Sequence, residues 1–155
     1  MRTTYSLALG ALLLGLGAPG EKVTISLAIG GKSYKVSGEG TCHYQSMASY
    51  RDMRAKMWQV EYNTEETTGL TSLTLTDWRP LAGGADQMSL YVGIGSVRHQ
   101  IETLKGGEKA GRGTLKLTPK GEGGVFEIDG KDEKGASIKG TVECGSFSSP
   151  PAVAG

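Results

Sequence analysis

Apolar and polar residues trade places along most of this chain with a period of two. Val23, Ile25, Leu27 and Ile29 are separated by Thr24, Ser26 and Ala28. Such alternation gives a strand one face for a core and one for water. Gly30-Gly31 supplies a turn pair that tolerates positive φ, and Tyr34 and Val36 resume the pattern, so a first hairpin is expected. Gly38 and Gly40 break or bulge the return strand ahead of Thr41–Tyr44. Trp58, Val60 and Tyr62 then alternate with Gln59 and Glu61, Leu73 and Leu75 with threonines, and Met88, Leu90, Val92 and Ile94 share one face. Val97–Leu104, Thr114–Leu117, Val125–Ile128 and Ser137–Cys144 complete the strands. Trp78–Gln87 reads as a loop because of Pro80 and Gly83-Gly84, and Leu104–Gly113 as a charged, glycine-rich loop.

One segment departs from this rule. Met47, Tyr50, Arg54 and Met57 fall at helical spacing, which predicts a short helix or crossover near residues 46–57. No long amphipathic helix is legible elsewhere. About eight or nine short strands, with turn signals roughly every 8–12 residues, predict an all-β fold. The expected architecture is an antiparallel β-sandwich, with a small closed or partly open β-barrel as the alternative.

The N-terminus follows a different rule again. Arg2 precedes the uncharged run Ser6–Leu16, and Ala18-Pro19-Gly20 ends it with small residues before Glu21. This is the pattern of a secretory signal peptide over residues 1–20. The mature chain is then expected to hold one β domain, 21–147, and a flexible tail, 148–155, marked by Pro150-Pro151. No further apolar run reaches the length needed to span a bilayer. Composition narrows the partner class. Lys and Arg number 17 against 16 Asp and Glu, a balance unlike that of a nucleic-acid-binding protein. Glycine contributes 25 of 155 residues without a three-residue period, which fits tight turns and excludes collagen.

Cys42 and Cys144 are the two cysteines, and an exported chain with an even count predicts a disulfide between them. His43 and His99 stand alone, and no nucleophile elbow, zinc-protease helix, phosphate loop or calcium loop is present. No catalysis and no cofactor are therefore expected. No metal is expected either. The candidate set, should one bind, is His43, Met47 and Met57, whose imidazole and thioethers suit Cu(I). Trp78 and Arg79 are the candidate binding residues, because tryptophan and arginine are enriched at hot spots.

The expectation is an exported, disulfide-stapled binding or structural module of the bacterial envelope or exterior, periplasmic or secreted. Its partner would be an envelope or extracellular protein, a glycan or a lipid, and not nucleic acid. The alternatives are a carrier holding a lipid or other hydrophobic ligand in a barrel cavity, and a small secreted hydrolase using loop carboxylates.

Overall fold

The structure is a computed structural model, and it describes residues 20–149. The expected signal segment, apart from Gly20, and residues 150–155 of the expected tail lie outside the described residues. Nine strands follow one another: β1 (Glu21–Ile29), β2 (Lys32–Tyr50), β3 (Met53–Asn63), β4 (Leu70–Pro80), β5 (Gln87–Ile94), β6 (Val97–Glu102), β7 (Arg112–Lys120), β8 (Gly123–Lys131) and β9 (Ser137–Cys144). All join one sheet in the order β6-β5-β4-β3-β2-β1-β9-β8-β7, and every pair is antiparallel. The sheet curls into a partly open barrel. The all-β expectation is met, and no helix occurs among the described residues.

β2 makes the curl possible. Its first half, Lys32–Gly40, pairs with β1, and its second half, Thr41–Tyr50, pairs with β3. The change of partner falls at Gly40. A Cβ there would lie 2.4 Å from the Glu61 carbonyl oxygen and 2.7 Å from Val23 Cγ2. Only glycine lets the Glu61 backbone and the Val23 side chain approach this corner so closely. At the seam, alternation around the sheet leaves the edge strands β6 and β7 running in the same sense. An antiparallel ladder cannot close the ring between them, and a single bridge, Glu102 to Ala110, spans the connection.

The inner face is a continuous apolar core. Val23, Ile25, Leu27, Val60, Leu73, Leu75, Leu90, Ile101, Phe126, Ile138 and Val142 are all buried in one cluster. The disulfide crosses this core from β2 to the end of β9, with an S–S length of 2.08 Å between two buried cysteines. β1 lies between the two strands it joins. The bridge is as the sequence predicted.

Two local expectations are corrected. Residues 46–57 form no helix. They are the end of β2, a tight turn at Arg51-Asp52, and the start of β3. The reason is a β-bulge between Gln45 and Ala48, which resets the alternation and makes the apolar spacing look helical. The loop expected over Trp78–Gln87 is also shorter. β4 runs on through Pro80, which pairs with Ala55 at the strand's end, where a missing N–H is tolerated.

Candidate functional site

Three connections meet at one end of the barrel: the Arg51-Asp52 turn, the loop 81–86 between β4 and β5, and the connection 103–111 between β6 and β7. They enclose an open pocket of about 520 Å³, lined by Tyr50, Arg51, Met53, Pro80, Gly84 and Lys105 among others. Each wall has a local cause. Arg51 holds φ at 51°, the left-handed region that a two-residue hairpin turn demands of its first residue. Gly83 and Gly84 take φ of 87° and 104°, which only glycine adopts without strain. The Lys105 amide donates to the Gln87 side chain at 2.7 Å and fixes the third connection to β5.

Trp78 and Arg79 stand at the base of the 81–86 loop, on opposite faces of β4. Trp78 is in register with Met57 and Gln87 on the outer face and packs on Tyr50 with ring centroids 5.9 Å apart. Ala48 and Ala55 are buried on the same side of the sheet, and Leu104, on the β6–β7 connection, is buried too. Trp78 itself is half-buried. Arg79 lies on the inner face. Its guanidinium sits 4.8 Å from the Trp58 ring centroid and donates from Nε and Nη2 to the Asp86 carboxylate, at 2.9 Å for Nη2. That ion pair ties the end of the loop back to its own first strand. The hydrogen bond to Asp86 raises the Arg79 pKa, against the opposing effect of burial.

Beneath Arg79 on the same face lies Asp77, in register with Trp58 and Met88. Its side chain is fully buried, and neither carboxylate oxygen has a hydrogen-bond partner. Burial, and then the charge of Asp86, push its carboxyl from 3.8 up to about 7, and Arg79 pulls the other way too weakly to prevent it. Sequence reasoning missed Asp77. The signal was its place two residues beyond Leu75 in the same alternation, where a core residue belongs.

The remaining candidates lie elsewhere. His43 and Met57 are on the outer face of adjacent strands. His43 Nδ1 is 3.2 Å from Ser148 Oγ, and the backbone of Ser148 is hydrogen-bonded to both Cys42 and Tyr44. Met47 is exposed in the β2 bulge, where Arg54 donates to its sulfur at 2.9 Å. No group of three or more His, Cys, Asp or Glu among the described residues could hold a metal ion. Across the seam, His99 Nδ1 is 2.7 Å from Asp132 Oδ2. The other Asp132 oxygen accepts the Lys134 and Ala136 amides, at 2.9 Å and 2.7 Å. Burial pushes the Asp132 carboxyl up, but these bonds from His99 and the two amides outweigh it and hold the pKa below the usual carboxylate value. The pair therefore fastens the β8–β9 turn to edge strand β6. Comparison with protein-family models, curated proteins and solved structures finds no match to this chain.

Proposed function

We propose that this protein is an exported, non-catalytic binding module of the bacterial envelope or exterior, and that its recognition surface is the three-connection end of the barrel. The observation that carries this reading is the open pocket of about 520 Å³ walled by backbone-rich loops on a rigid, disulfide-tied sheet. Binding sites concentrate on loops held by such a scaffold. The disulfide fits an oxidising compartment. No helix among the described residues is long and apolar enough to cross a membrane. The rim pairs an aromatic ring, Tyr50, with the cations of Arg51 and Lys105, a combination suited to a glycan or to an acidic segment of a protein. The inner-face core, filled by the buried side chains of Leu75, Leu90, Phe126 and Val142, speaks for a module over the carrier of a hydrophobic ligand.

The test is site-specific photocrosslinking in exporting cells. A crosslinking residue at Ala82, exposed in the 81–86 loop, should give discrete adducts, and one at Lys116, exposed on β7, should give none. Replacing Arg51 by glycine should remove the Ala82 adducts, because glycine suits φ 51° and leaves the turn intact. Equal labelling from Ala82 and Lys116, or no adduct from Ala82, overturns the proposal.

A further inference from the structure

One guanidinium serves two acids at the base of the 81–86 loop. Asp77 and Arg79 are two residues apart on the inner face of β4, and Asp86 closes the loop that follows. Arg79 is held by Asp86 through Nε and Nη2, while both oxygens of Asp77 are unpartnered at zero exposure. A carboxylate so placed is disfavoured as an anion and stable as the neutral acid. Other charges around it are few. From β3 it faces Trp58, with Lys56 beside Arg79 in the next register pair. From β5 it faces Met88, which is backed by Thr103 of the β6–β7 connection and by Gly113 of β7. From β2 comes Tyr44, whose ring packs on Trp58 with centroids 5.0 Å apart. Arg79 is thus the cation within reach of Asp77, and its side chain, 43% exposed, has room to turn.

We propose that Asp77, Arg79 and Asp86 form a proton-operated latch on the 81–86 loop. While Asp77 holds its proton, Arg79 clamps Asp86 and the loop stays against its own first strand. When Asp77 gives its proton to solvent, the guanidinium turns inward to the new anion. Asp86 is released, and the loop that walls the pocket is freed. The exchange replaces an ion pair near the surface with one deeper in the fold, where attraction between charges is screened less. The role of the latch in controlling binding rests on the function proposed above, but the movement itself is measured without any partner.

The experiment is NMR of the disulfide-intact mature protein, following the Asp77 and Asp86 carboxyl carbons and the Arg79 Nε–H signal from about pH 5 to 9, a span that brackets neutral titration. In the unmodified protein all three signals should move with one shared midpoint, set by Asp77, and the Gly83 and Gly84 amides should follow it. In Asp77→Asn the Arg79 and Asp86 signals should stay at their low-pH positions throughout. In Asp86→Asn, which leaves Asp77 in place, Gly83 and Gly84 should already sit at their high-pH positions at low pH. If Asp77 titrates while Arg79 and Asp86 behave as they do in Asp77→Asn, the proton leaves without any exchange of partners and the latch is refuted. An Asp77 that titrates in the ordinary carboxylate range refutes it in the unmodified protein, whatever the variants do. Loop movement without any Ala82 adduct in cells would leave the latch standing and overturn the binding role alone.

Discussion

Replacing Asp77 by asparagine should stabilise the protein above neutral pH. The carboxyl titrates at about 7 in the fold against 3.8 for its ordinary value. Between those values the native state holds a proton that the unfolded chain has lost. Stability therefore falls as pH rises, by about 1.4 kcal/mol per pH unit, and the loss is complete above about pH 7. Over the whole span it amounts to about 4 kcal/mol, a large share of the 5–15 kcal/mol typical of a domain. Asparagine has nearly the same shape and cannot ionise. At about pH 4 both side chains are neutral and equally unpartnered, so the two proteins should differ by less than about 1 kcal/mol. At pH 8 the variant should be more stable by about 4 kcal/mol. Urea unfolding followed by tryptophan fluorescence, at a series of pH values with the disulfide intact, measures the gap directly. Other titrating groups affect both proteins alike and cancel in the difference. Two stability curves that run parallel from pH 4 to pH 8 refute the reasoning, because they would mean that Asp77 ionises in the fold as readily as in the unfolded chain.

Removing the bridge with Cys42→Ala and Cys144→Ala frees a span of 102 positions, and the denaturation midpoint should fall by an amount equivalent to about 2–5 kcal/mol. Mass measurement after alkylation should show two blocked thiols in the unmodified protein only after reduction. Gly40→Ala places a methyl against the Glu61 carbonyl and Val23, and should cost about 1–3 kcal/mol in thermal or urea unfolding. The Asp132 pKa is depressed in the fold, so its contribution is fully present above the ordinary carboxylate value and is lost as pH falls through the folded one. Asp132→Asn should therefore weaken the protein at neutral pH and flatten the acid side of its stability profile, and an unchanged acid side would show that the His99 and backbone bonds do not hold the carboxylate. Arg51→Gly should leave stability unchanged or raise it by up to about 1 kcal/mol, since it relieves a left-handed backbone at a non-glycine residue.

The alternation of apolar residues determined that the fold would be all-β, because a strand's side chains take opposite faces in turn and burial must follow that period. It also named most of the core: Val23, Ile25, Leu27, Leu73, Leu75, Leu90 and Val92 are buried as their positions required. Two cysteines admitted a single pairing, and the fold holds it. What the pattern did not carry was anything set by partners distant in the chain. A bulge in β2 inserts one extra residue against β3, so Met47–Met57 imitated a helix until the facing strand was known. Gly40 reads as one turn glycine among many, and only the approach of Glu61 and Val23 makes it the corner of the barrel. Trp78 and Arg79 are neighbours in sequence and looked like one surface, yet strand geometry sends them to opposite faces, one to Tyr50 and one to Asp86. The charge of Asp77 was written in the sequence, but its isolation was not. Desolvation depends on what surrounds a group in three dimensions, and Trp58, Met88 and Arg79 converge on it only after β3, β4 and β5 are laid side by side.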